Sequence, residues 1–284
     1  MNSPLADSLV LVFTFGMSLK GWRDTGMLDR EWALYRALLP HYRRLVVVTY
    51  GGVEDDEILA SLLTTDESRA KVRLVCNRDG LDLHPYSQVV PQRVRAALDD
   101  SRSVVVKTNQ MVGGEVAVHI AEWLRGEGLT AALIARGGYL WTRFVTYERG
   151  PHSDAANEAA AKERMLCTSA DVVVGTTQDM VEDLAWRYGL DPARTRVLPN
   201  YVLPADEVLG IEERIPGLLL YAGQLVYRKR VDVLIEAVSR LPDDVREIAV
   251  LEIYGDGPEK KNLTAQAEAM KAPVKFFPRI PHLE

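Results

Sequence analysis

Short, almost wholly apolar runs alternate along this chain with longer segments whose apolar residues recur every three or four positions. The runs at 9–15, 45–49, 72–75, 103–107, 131–135, 172–175 and 196–198 predict strands covered on both faces, as in a parallel sheet. Between them, helices are predicted at 27–39, 55–63, 92–98, 115–125, 157–167 and 177–188. Pro40 ends the first of these, while Thr177 and Gly189 cap the last at either end. The polar stretch 142–157, with Gly150-Pro151, predicts a loop. No period survives from 203 to 216, where Pro204 and Pro216 flank acidic residues, so this stretch is expected to be a linker.

The pattern then resumes with Leu218–Ala222, an apolar run closed by Gly223. A basic loop, 224–230, leads into Val231, Leu234, Ile235, Val238 and Leu241 at helical spacing. A second strand at 248–254 stops at Gly255-Asp256-Gly257-Pro258. The alternation predicts a doubly wound α/β protein in two domains: residues 1–202, a linker 203–216, and a shorter second domain 217–284 of about three strands and two helices. A parallel βαβ unit puts both glycine loops of the second domain at the carboxyl edge of its sheet, where open α/β sheets bind ligands. Lys229 stands at the opening of the helix, where free N–H groups and the helix dipole favour an anion, so this half reads as a site for a phosphorylated ligand.

Composition narrows the class. The 284 residues suffice for two cores, and 34 basic against 40 acidic side chains give no electrostatic case for nucleic acid. Cys76 and Cys167 lie far apart in apolar surroundings, which predicts buried free thiols in a reducing compartment rather than a disulfide or zinc site. The apolar runs are too short to span a bilayer, and MNSPLADS lacks the features of a signal peptide, so a cytoplasmic protein is expected.

Three loops of the first half carry candidate chemistry. The segment 16–26, with Gly16, Gly21 and Gly26, follows the first strand; it is either a ligand-approach loop or an ordinary surface loop, and it is not the dinucleotide fingerprint. Asn109 and Gln110 follow the fourth strand, as polar amides at the carboxyl edge of the sheet or as turn and capping residues. Arg136-Gly137-Gly138-Tyr139-Leu140-Trp141 follows the fifth: glycines admit a close backbone approach and an arginine offers a fork of donors to oxyanions. The alternative for Arg136 is a salt-bridged structural arginine. His119 reads as a packed or surface histidine.

Taken in order, 219–236, 253–258 and 274–282 (VKFFPRIPH) resemble the donor-domain signature of GT-B retaining glycosyltransferases of family 4. The segment 197–202 is similar to the stretch that precedes the family's donor domain. Asn109-Gln110 and the 136–141 segment resemble a bacterial polysaccharide-building branch of that family. The resemblance implies two facing Rossmann-like domains and transfer of a sugar, with retention, from a nucleotide-diphosphate sugar to an acceptor hydroxyl (EC 2.4). The acceptor would be a sugar, a small molecule or a lipid-linked glycan, the last giving peripheral contact with the inner membrane face.

The resemblance also implies roles. Lys229 would neutralise the diphosphate, joined by Gly16, Gly223, Gln224, Arg228, Gly255, Asp256 and Gly257 around the donor, with Arg136 as a second catalytic candidate and Asn109, Gln110 and Tyr139 on the acceptor side. Neither a cofactor nor a bound metal is implied. Gln224 stands where the family carries an arginine, so Arg228 is expected to compensate, and Arg230 replaces a glycine. The family's E-x7-E segment has no counterpart before Glu284. That leaves open a fragment, a completing partner chain, or a non-catalytic sugar-nucleotide- or glycan-binding subunit.

Overall fold

The computed structural model describes residues 6–201 and 210–280, and it divides into a unit through Leu203 and a unit from Pro204. The first unit runs β1 (Ser8–Val12), α1 (Leu19–Asp24), α2 (Leu28–Leu38), β2 (Arg44–Val48), α3 (Glu54–Leu62), α4 (Asp66–Lys71), β3 (Val72–Val75) and α5 (Leu83–Ala97). It continues β4 (Ser103–Thr108), α6 (Gly114–Gly126), β5 (Thr130–Arg136), α7 (Trp141–Arg149), α8 (Asp154–Ser169), β6 (Val172–Gly175), α9 (Gln178–Tyr188) and β7 (Thr195–Val197). Its strands form one seven-stranded sheet in the order β3-β2-β1-β4-β5-β6-β7, and every pairing is parallel.

Why these runs become central strands is visible in β1. All five residues are buried; Val10 and Val12 join one core, while Leu9 and Leu11 join the other. The first core packs α5, α6, α8 and α9 on one face of the sheet; the second packs α1, α2 and α3 on the opposite face. Trp22 of α1 stacks on Phe13 at 3.9 Å between centroids, so the loop after β1 is anchored by an aromatic pair that is fully buried.

The second unit runs β8 (Leu218–Ala222), α10 (Val231–Ser239), α11 (Asp243–Arg246), β9 (Val250–Tyr254), α12 (Lys260–Ala269) and β10 (Val274–Phe277). Its parallel sheet has the order β10-β9-β8 among the described residues. One face is closed by α10 and α12 through Val231, Ile235, Val238, Leu263 and Ala267, which pack on Leu251 and Ile253. On β8, Leu219 and Leu220 are 41% and 66% exposed.

Several expectations change. The stretch 142–157 is mostly helical, as α7 and the start of α8, because Glu163 caps α7: it accepts from Trp141 N–H at 2.9 Å and from the Thr142 hydroxyl at 2.6 Å. The segment 16–26 contains α1, capped by Ser18, which accepts from Gly21 N–H at 2.8 Å. The helix placed at 92–98 begins at Leu83 and carries Pro91 inside it. Within 203–216, Ile211–Glu213 forms a 3-10 turn, while residues 203–209 lie outside the described residues, as do Pro281 and His282 of the 274–282 motif. The second unit has α11 as an additional helix. His119 is exposed, and both cysteines are buried and free, with burial pushing the Cys76 thiol up to about 11.

Candidate functional site

In the first unit the strand order reverses at β1 and β4, and the loops beyond their carboxyl ends meet there. Phe15 N–H donates to the Val112 carbonyl at 3.2 Å, and Asn109 N–H donates to the Val12 carbonyl at 2.8 Å. Gly113 has φ +82°, and a Cβ there would fall 2.8 Å from the Phe15 nitrogen. Only glycine closes the two loops onto each other at this point. Gly16, φ +77°, lies exposed at the tip of the first loop, with only Leu83 within 4 Å of a built Cβ. Asp55 fixes the rest of that loop from below. Fully buried, its carboxylate accepts from Leu19 N–H at 3.1 Å, Lys20 N–H at 3.0 Å and the Thr49 hydroxyl at 2.7 Å.

The loops after β4 and β5 are likewise tied. Gln110 Oε1 accepts from Gly138 N–H at 2.7 Å, so its amide links the two loops. Arg136 is the last residue of β5 rather than a loop residue; its guanidinium donates to the Asn109 carbonyl at 3.2 Å and to the Asn200 side-chain oxygen. The structure thus brings Asn109, Gln110, Arg136 and Gly138 together, with Tyr139 39% exposed beside them and packed at 5.4 Å on Phe144. Lys107, which the sequence pattern marks only as a strand end, lies at the same edge. Its ammonium donates to the Tyr35 hydroxyl at 3.0 Å and to the Thr108 carbonyl at 3.2 Å. Burial, reinforced by the charge of Arg136 and opposed by Glu31, brings its pKa down to about 7. The signal available was a lysine inside the otherwise apolar run SVVVKT.

In the second unit, the loops after β8 and β9 clasp. Leu225 is fully buried; its N–H donates to the Asp256 carbonyl at 2.9 Å and its carbonyl accepts from Glu259 N–H at 3.1 Å. A Cβ on Gly255 would enter the space of the Gly223 carbonyl oxygen, and one on Gly257 the space of the Leu225 carbonyl oxygen. These glycines are therefore required by loop-on-loop contact, whatever they do for a ligand. Gly223 N–H donates to the Tyr254 carbonyl at 3.0 Å, and Asp256 Oδ1 accepts from Gly257 N–H at 2.8 Å. Gln224 is exposed, and its carbonyl accepts from the Tyr221 hydroxyl at 3.0 Å.

Lys229 ends a 3-10 turn, Tyr227–Lys229, one residue short of the α10 N-cap, and is exposed together with Arg228. The N-cap itself is Arg230, at φ 51° and ψ 40°. That left-handed geometry explains why a glycine serves well at this position and shows that Arg230 keeps the same turn at a conformational cost. Its guanidinium pairs with Asp232 at 2.9 Å and lies 5.4 Å from the Tyr227 ring centroid. Among the described residues, no group of three or more His, Cys, Asp or Glu side chains is arranged to hold a metal ion.

Residues 211–283 match the family model "Glycosyl transferases group 1". A D-inositol 3-phosphate glycosyltransferase of Xylanimonas cellulosilytica is 32% identical over 104 residues, a match that takes in 31% of this chain and spans only 25% of that protein's length. Among solved structures, the lipopolysaccharide outer core galactosyltransferase WaaB aligns with 96% of this chain and 68% of its own, at a TM-score of 0.63 and 14% identity. TarM of S. aureus, solved with UDP, aligns at 0.64 and 10% identity over 96% of this chain and 78% of its own. WaaG, a glycosyltransferase involved in lipopolysaccharide biosynthesis, aligns at 0.57 and 18% identity over 96% of this chain and 70% of its own. The second unit thus carries the group 1 glycosyltransferase match, on a chain whose two parallel sheets have the GT-B fold of the glycosyltransferases it resembles.

Proposed function

We propose that this chain is a family 4 glycosyltransferase of the polysaccharide-building type. It would transfer a sugar from a nucleotide-diphosphate donor to an acceptor hydroxyl with retention, in the cytoplasm or at the inner membrane face. The observation that carries the reading is the clasp of Gly223–Leu225 against Gly255–Gly257 at the carboxyl edge of the second sheet, with Lys229 exposed just before α10. The clasp lies inside the segment matched by the group 1 family. A fixed loop that holds a lysine in solvent ahead of a helix is suited to a diphosphate, whose leaving charge grows as the glycosidic bond breaks. Lys229 would supply that stabilisation, Arg228 would share it in place of the uncharged Gln224, and Asn109, Gln110 and Tyr139 would face the acceptor.

Calorimetric titration with UDP, GDP and ADP, and with their sugar conjugates, tests the reading. One nucleotide is expected to bind selectively, at least tenfold more weakly in Lys229→Ala. Binding indifferent to that substitution would defeat the assignment of Lys229. Arg228→Ala should weaken the same nucleotide if it compensates for Gln224. A purified chain that binds the nucleotide-sugar yet neither hydrolyses nor transfers it would favour the binding-subunit reading, which the uncharged Gln224 supports.

A further inference from the structure

Of the cations on the strands of the first unit, Arg44 meets Asp99, whereas Arg73 and Arg196 donate to backbone carbonyls close in sequence. Two more lie at the carboxyl edge of the same sheet. Lys107 and Arg136 form no ion pair with any described carboxylate, and Glu31, whose charge reaches Lys107, is held by Arg30 at 2.7 Å. The pair lies on β4 and β5, adjacent parallel strands, and β4 borders the strand-order reversal where Lys107 is registered opposite Leu11. Two like charges held near each other, one of them largely desolvated, cost folding free energy unless an anion joins them.

The hydrogen-bond inventory points the same way. An ammonium has three N–H donors and a guanidinium five. Lys107 uses two, on Tyr35 and Thr108, and Arg136 uses two, on Asn109 and Asn200. What remains, one N–H on Lys107 and three on Arg136 beside two positive charges, suits a tetrahedral dianion with three terminal oxygens. The groups that accept from or donate to the pair, Tyr35, Asn109, Asn200 and the Thr108 backbone, are neutral; Glu31 is the carboxylate whose charge reaches Lys107, and it is paired with Arg30; burial raises the Tyr35 hydroxyl pKa, which keeps it protonated.

We propose that Lys107 and Arg136 form a phosphomonoester subsite, which makes the acceptor of this protein a phosphorylated molecule. Its assignment to the acceptor rests on the glycosyltransferase reading, whereas the anion site stands on the first unit alone. Binding would draw a proton onto Lys107, because an adjoining dianion favours its charged form.

The test titrates the full chain at pH 8 with inorganic phosphate and, separately, with glycerol 3-phosphate, in two buffers of different ionisation enthalpy. Saturable binding with uptake of a fraction of a proton is expected. Lys107→Met should weaken it at least tenfold and abolish the proton uptake. Arg136→Gln, at a half-buried position and so less exposed to misfolding, should weaken it comparably. Lys229→Ala should leave it unchanged. Absence of phosphate binding would overturn the proposal, as would binding that survives both first-unit substitutions. Binding lost only in Lys229→Ala would place the anion on the second unit and sink the subsite while sparing the donor reading. Phosphate binding intact with no nucleotide binding would do the reverse.

Discussion

Lys107 shows how one side chain can make stability depend on pH. Its pKa falls from 10.5 to about 7 on folding, so between these values the unfolded chain holds a proton that the folded chain lacks. Unfolding then takes up that proton, and stability must rise with pH across the window. Below about 7 both states are protonated and the full cost of the buried charge remains. In buffers free of phosphate, Lys107→Met should therefore melt above the parent at neutral pH, with the gap closing toward pH 10. A gap that stays constant would remove the buried-ammonium account. This residue also marks the limit of reading the sequence. Gly16, Gly223, Arg136 and Gly255 announce themselves as loop or edge chemistry, but Lys107, Asp55 and Leu225 acquire meaning only through partners 72, 36 and 31 positions away in the chain. No local pattern encodes the Tyr35 hydroxyl, the Leu19 N–H or the Asp256 carbonyl.

At the scale of elements, strands were the more legible class, because parallel strands buried on both faces are continuous apolar runs whatever surrounds them. Val72–Val75, Val172–Gly175 and Leu218–Ala222 have the bounds their runs predict. Helices without an apolar stripe were not legible. Only Thr142 of α7 is buried, and what starts that helix is the distant Glu163. The first half of α5 was hidden by Pro91, which reads as a breaker yet sits buried within the helix.

Caps, by contrast, are local and improvable. Helix α12 ends in a Schellman turn: Ala272 N–H donates to the Ala267 carbonyl at 3.0 Å, with Lys271 in left-handed geometry at φ 49°. Lys271 is exposed and has no packing reason to be other than glycine. Lys271→Gly should stabilise the second unit by roughly 0.5–1 kcal/mol, read from chemical denaturation. A loss of stability would mean that the side chain contributes something beyond its backbone.

For the molecule as a whole, the pattern of two α/β units was readable because the alternation of strand and helix repeats along the chain and lapses only in the aperiodic stretch from 203 to 216. No described helix is long and apolar enough to cross a membrane. The exposed edge strand of the second sheet bears on how this protein behaves in bulk. Strand β8 is the last strand of that sheet among the described residues, and it carries Leu219 and Leu220 exposed beside a row of backbone groups. Such an edge is a template on which further chains can add. Concentrated solutions should scatter light increasingly with time, and Leu220→Lys, which puts a charge on the strand without touching either core, should keep them clear. Equal turbidity in both would absolve the edge. If it does act, the colloidal shelf life of the protein is set by five residues, and crystallisation or spectroscopy at high concentration depends on blunting them.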